Sequence, residues 1–328
     1  ALQILAVMRQ TGRSLSDLAA GMPKYPQTML NVRTEQRMDP SASNEIQAAV
    51  TEAENELKET GRVVLRASGL ACHEAGGSEA QELAAMLAAA TAYLRAGEAC
   101  QINPRDMAPR IEIELAADAE LFLSIAKLRA ARLLWARLGE ECGFESPARL
   151  AVQTSARMMC VSDPQTNMVR SCVAALAAGI GGADAVTILP FTHAMGQPDA
   201  YACRIARNTA HILHEEARIG EVADAGAGSW ALESLTCALC EVAWNAFSEI
   251  EQEGGIVQSL LSGSLQDRIA HARTKLIADI AEGRRVLVGA TAYKPQSAPT
   301  FAPKPWSIPP AIEGPVPIFR PMRLEGGN

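Results

Sequence analysis

Four short runs of branched apolar residues, each followed by a long helical pattern, dominate the middle of the chain. RVVLRAS (62–68), RIEIEL (110–115), RLAVQTS (149–155) and AVTILPF (185–191) predict strands. Helical periodicity fills roughly 77–97, 118–141, 165–180 and 198–217. Successive βα units imply parallel strands joined by crossover helices. Such a set makes half of an eight-fold βα barrel or one sheet of a doubly wound fold. Residues 1–69 have a different texture. They predict a helix from Leu2 to Met8, a short one with Ser14 as N-cap and Gly21 as C-cap, a strand at 28–33 and a charged helix at 44–60. Beyond 220, two helical stretches fill 229–283 and a strand RVLVG (285–289) follows. Nine prolines between Pro295 and Pro321 then predict an extended arm, either wrapping a partner or solvated.

Composition narrows this picture. The 328 residues suit one large domain or two ordinary ones, and 48% hydrophobic with 20% charged residues suits a globular core. Aromatics are only 4%, so that core must be aliphatic and largely alanine. A net charge of −7 argues against nucleic acid or an anionic membrane as the main partner. No apolar run approaches the roughly 18 residues of a membrane span. The first residues do not read as a signal peptide, so a cytoplasmic location is expected; the start at Ala1 suggests a fragment or processed product. Eight scattered cysteines then read as reduced thiols. Cys237 and Cys240 form a lone C-x-x-C inside a helical pattern, without the second pair that zinc would want.

Parallel sheets place their chemistry at the C-terminal ends of the strands. The polar candidates there are His73, Glu74, Gln153, Ser155 and His193. A His beside a Glu can act as a general base, although a lone His at a strand end is more often structural. GIGGAD (179–184) precedes a strand instead of linking strand to helix, so it does not cradle phosphate. His211 and His214, with Glu215 and Glu216, suggest metal chemistry but lack an evident third ligand.

Longer stretches carry a resemblance. HEAGGSEAQELA (73–84), FLSIAKLRAARLLWARL (122–138), DPQTNMVR (163–170), AAGIGGADAVTILPF (177–191), RIARNTAHILHEEARIGEVAD (204–224), GAGSW (226–230) and EIEQEGGI (249–256) resemble the methylmalonyl-CoA mutase family. The resemblance implies an α/β fold: the second half of a (β/α)8 TIM barrel over 70–294, with following helices, and a Pro-rich arm over 295–328. The chain's LPF (189–191), VLVG close and FRPMRL (319–324) look like the small, non-catalytic subunit type.

The same resemblance bears on single residues. Catalytic chains carry histidines where this chain has Ala71 and Ala151. Gln, Asn and Glu of the family are replaced by Asp184, Leu189 and His193. Arg110 and Gln153 match residues that contact acyl-CoA, so a vestigial substrate site is implied there. Glu112 stands where the family has a Ser near the thioester. The cobalamin signature D-x-H-x-x-G is approached only by Phe191-Thr192-His193-Ala194-Met195-Gly196, with Phe for Asp. No catalytic residue and no metal is therefore assigned to this chain. Adenosylcobalamin is expected in a partner catalytic chain of a heterodimer, which would isomerise methylmalonyl-CoA and succinyl-CoA.

Residues 1–69 resemble the C-terminal domain of phosphoglucosamine mutase. Arg66, Ser68 and Gly69 match its R-x-S-G phosphate loop before the chain departs into Leu-Ala-Cys-His. This implies a vestigial phosphate site at Arg66 and Ser68 and a junction near Gly69. A chimeric or truncated non-enzymatic protein, or a phosphosugar-binding remnant, is the competing reading.

Overall fold

A computed structural model of the protein describes residues 65–296, 301, 303–306 and 316–325. The elements expected over 1–64 lie outside the described residues. Four parallel strands form one sheet: β1 (Leu65–Ser68), β2 (Ile111–Ala117), β3 (Leu150–Thr154) and β4 (Ala185–Thr187). Their order in space is their order in sequence, β1-β2-β3-β4. The register sets Arg66 beside Glu112, Ala116 beside Gln153 and Gln153 beside Thr187. β1 precedes Gly69, yet it pairs with β2 beyond it, and the Gly69 amide continues the ladder to the Glu114 carbonyl at 3.0 Å.

The helices are α1 (Leu70–Glu74), α2 (Glu79–Ala99), α3 (Pro104–Met107), α4 (Leu121–Cys142), α5 (Pro164–Ile180), α6 (Ala200–His211), α7 (Trp230–Gln252), α8 (Ile256–Ser262) and α9 (Ser264–Ala281). α2 starts at a capping box: Ser78 Oγ accepts from the Gln81 amide, and Gln81 Oε1 accepts from the Ser78 amide. These bonds satisfy amides that lack intrahelical partners. α4 stops at Gly143, whose φ of +75° favours glycine. α6 runs on into a π-helical turn at Ile212–Glu216.

Strand pleating gives the sheet two faces. Ala67, Ile111, Ile113, Leu115, Leu150, Val152 and Thr154 are buried on one face. α2 lies between β1 and β2 on one side and α7 on the other. It is therefore packed all round, and alanine lets both neighbours approach closely. This accounts for a core built with few aromatic rings. Trp135 is an exception: its indole nitrogen donates to the Ser146 carbonyl at 2.8 Å and its ring meets Phe144.

Two expectations need correction. RVLVG (285–289) forms no strand; only an isolated bridge joins Val288 to Ala292. The last strand is also shorter than expected, since Pro190 cannot donate to a ladder. Among the described residues, no helix is long and apolar enough to cross a membrane.

Candidate functional site

The opposite face of the sheet is polar. Arg66 and Ser68 share it with Glu112 and Glu114 of β2 and with Ala151 and Gln153 of β3, because all lie at alternate positions. Arg66 bridges the two acids, with Nη2 2.8 Å from Glu112 Oε2 and Nη1 2.9 Å from Glu114 Oε1. One cation faces two carboxylates, so the cluster carries net negative charge. Such a cluster repels phosphate and favours a donor or a cation. Ser68 Oγ accepts from the Leu70 amide at 3.2 Å. Gln153 lies toward the C-terminal end of this face. Arg110 is exposed at the end of a single 3₁₀ turn that leads into β2. Its Cα lies six residues before Gln153's partner Ala116, about 20 Å along the strand. The two acyl-CoA candidates are therefore at opposite ends of the sheet.

At the strand ends a buried network joins three βα connections. His73 Nε2 lies 2.8 Å from Ser155 Oγ, and His73 Nδ1 lies 3.1 Å from Glu82 Oε2. Glu82 Oε2 also accepts from Lys127 Nζ at 2.6 Å, and Glu82 Oε1 accepts from the Ala116 amide at 2.6 Å. Burial pushes the Glu82 carboxyl up, but the Lys127 ammonium and the His73 ring pull harder, leaving it at about 2. Asp118 behaves alike: burial raises it, while His73, Arg157 and Lys127 bring it well below the usual carboxylate range. Arg157 donates to the carbonyls of His73 and Gly77 at 2.9 and 2.8 Å. Ser155, His73 and Glu82 stand in the order of an activated hydroxyl. All three are shut away from solvent, and Glu82 is fully engaged by other donors, so the set braces the loops.

The partner expected for His73 was Glu74; the structure gives it Glu82. Glu74 instead accepts from the Ala156 and Arg157 amides, each at 2.8 Å. Sequence reasoning missed Glu82, Lys127 and Arg157 as a group. A signal existed: Glu82 and Lys127 interrupt otherwise apolar helix stretches. His211 and His214 are exposed, and no metal-holding group of three or more His, Cys, Asp and Glu occurs among the described residues. Cys237 is exposed and Cys240 half-buried on α7, and burial, with Cys237 beside it, pushes the Cys240 thiol up to about 11.

The segment after α9 roofs the strand ends. Arg285 reaches Glu120 at 2.7 Å, beyond β2. Ser162 Oγ, beyond β3, donates to the Gly289 carbonyl at 2.7 Å. Beyond β4, the Gln197 amide donates to the Lys304 carbonyl at 2.7 Å, and Trp306 Nε1 donates to the His193 carbonyl at 3.0 Å. The Met322 amide meets the Glu74 carbonyl at 2.7 Å, beyond β1, and the Leu324 amide meets the Arg157 carbonyl at 3.0 Å. The described parts of the Pro-rich segment, at 301, 303–306 and 316–325, are docked on the chain's own loops.

A family model described as methylmalonyl-CoA mutase matches residues 2–308. The chain belongs to the methylmalonyl-CoA mutase family. The match begins at residue 2, so it takes in the stretch set apart above for its likeness to phosphoglucosamine mutase. The chain is 46% identical over 231 residues to the methylmalonyl-CoA mutase small subunit of Streptomyces virginiae, covering 70% of this chain and 38% of that protein. It is 35% identical over 246 residues to the small subunit of Propionibacterium freudenreichii subsp. shermanii, covering 74% and 39%. The large subunit from the same organism is 34% identical over 236 residues, covering 71% and 32%. The chain therefore spans about two fifths of the length of the small subunits it matches.

Proposed function

We propose that this mutase-family chain is of the small-subunit type and works beside a catalytic mutase chain. The partner would bind adenosylcobalamin and interconvert methylmalonyl-CoA and succinyl-CoA. The sheet would be an arc of a (β/α)8 barrel, with the polar face turned to the barrel axis. Strand order supports this, since a doubly wound sheet reverses direction at a switch point and this one runs straight through four strands.

The observation that carries the non-catalytic reading is Glu112. The resemblance gives catalytic chains a Ser there, near the thioester. Here an acid occupies the place, locked by Arg66 at 2.8 Å and flanked by Glu114. An anionic wall disfavours the polyanionic tail of acyl-CoA and the charge that builds on a polarised thioester carbonyl. Ala151 on the same face and Ala71 beyond β1 offer no imidazole. Arg110 and Gln153 remain as vestigial acyl-CoA contacts in this reading.

Among the described residues, the nearest cobalt-ligand candidate does not fit cobalamin. His193, from the nearest cobalt-ligand string, has its ring 5.0 Å from the Trp306 ring, and its own carbonyl holds the Trp306 indole. Spectroscopic titration of the isolated chain with adenosylcobalamin tests the reading. Unchanged spectra support it; stoichiometric binding overturns it.

A further inference from the structure

The roof over the strand ends is pinned at its far end by a carboxylate. Glu325 accepts from the amides of Val161 and Ser162, the latter at 2.8 Å. These amides belong to the connection between β3 and α5. Glu325 is held below its usual range: burial pushes it up, but the Ser162 and Val161 donors and Arg323 outweigh this.

The approach to that pin is built as one edge of extended chain. Met322 and Leu324 alternate inward and are buried, while Pro321 and Arg323 face outward. A Cβ on Gly76, just after α1, would fall 2.6 Å from Met322 Sδ and 2.8 Å from Arg273 Cβ, and the φ of +102° there favours glycine. Upstream, Gln266 of α9 donates to the Pro317 carbonyl at 3.0 Å, and Arg273 donates to the Arg320 carbonyl at 3.1 Å. Pro317 and Pro321 lack amide donors, so the described stretch depends on a few bonds donated from outside and on those near its end.

We propose that residues 319–325 form a closable latch over the strand ends, with Glu325 as its pin. Closed, it ties the loop beyond β1 to the loop beyond β3 and denies ligands the end of the sheet at which parallel α/β folds bind them. The latch is anchored by the Glu325 carboxylate, the Met322 and Leu324 amides, the Arg273 donor to the Arg320 carbonyl, and the apolar side chains of Phe319, Met322 and Leu324; with so few ties, local opening need not unfold the sheet beneath. This holds whether or not the chain pairs with a catalytic subunit.

Hydrogen–deuterium exchange of the full chain, wild type against Glu325→Ala and Glu325→Gln, tests the latch. In the alanine variant, exchange of peptides spanning 73–77, 156–162 and 319–325 should accelerate about ten-fold or more, while α2 stays unchanged; ten-fold corresponds to about 1.4 kcal/mol of lost closure. Unchanged exchange in 156–162 and 319–325 overturns the proposal. If α2 also loses protection in the alanine variant, the glutamine variant decides. It keeps one acceptor oxygen, and acceleration confined to the three segments supports the latch. Acceleration spread equally over the chain, or none at all, overturns it.

Discussion

The Glu82 carboxylate and the Lys127 ammonium lie 2.6 Å apart, and neither reaches solvent. The pair joins α2 to α4 behind the strand ends, and His73 and the Ala116 amide complete the carboxylate's partners. A buried pair of this kind costs much desolvation, so it adds little stability over an apolar pair of the same shape. Breaking it is another matter. Lys127→Met is expected to destabilise the fold by about 3–5 kcal/mol, because a buried carboxylate is left without its cation. Glu82→Leu combined with Lys127→Met should cost much less than the sum of the single changes. Urea denaturation of the three variants checks this.

Stability should also fall in acid over a defined window. The ordinary value for a glutamate carboxyl is 4.5 and that of folded Glu82 is about 2. A carboxyl depressed in the folded state contributes stability above its unfolded value and loses it as pH falls through the folded one. The urea midpoint of the wild type should therefore decline as pH falls from about 4.5 toward 2. Asp118 acts in the same direction. In Glu82→Gln the decline should be shallower, measured against wild type at each pH.

Gly69 separates the polar sheet from this network by close approach. A Cβ there would fall 2.4 Å from the Glu82 carbonyl oxygen and 2.8 Å from Glu82 Cγ. The contacted backbone belongs to a packed helix and cannot give way. Gly69→Ala is expected to cost about 1–3 kcal/mol by overpacking. Thermal unfolding followed by circular dichroism measures it, with Gly143→Ala as a comparison, where a Cβ meets nothing within 4 Å but the positive φ still carries a penalty.

Arg66 should behave differently from Lys127. Its side chain is half exposed and its partners are partly solvated. Arg66→Ala should change stability by no more than about 1 kcal/mol. Urea denaturation against wild type measures it, and a loss of about 3 kcal/mol or more would contradict a solvent-screened pair.

The sheet and its helices were legible because burial on one face leaves a period of two. Ile111, Ile113 and Leu115 alternate with Glu112 and Glu114, and that alternation located β2 within two residues of its observed ends. The long helical patterns over roughly 77–97 and 118–141 were equally plain and correspond to α2 and α4. The buried network was not legible. His73, Glu82, Lys127 and Ser155 come from four separate elements, and sequence neighbours such as Glu74 compete with the true partner. The arm's docking was hidden for another reason. Proline removes the periodicity that marks an element, and only Met322 and Leu324 retain two-residue spacing. RVLVG misled because its branched residues suit a strand, but no strand among the described residues offers it a ladder.

On the proposed reading, this mutase-family chain performs no isomerisation alone. The most direct measurement is conversion of methylmalonyl-CoA to succinyl-CoA by the purified full chain with saturating adenosylcobalamin, assayed with and without a catalytic mutase chain. No turnover by the chain alone, with activity appearing only when the catalytic chain is added and the two co-purify, is the predicted result. Turnover by the chain alone would contradict the account.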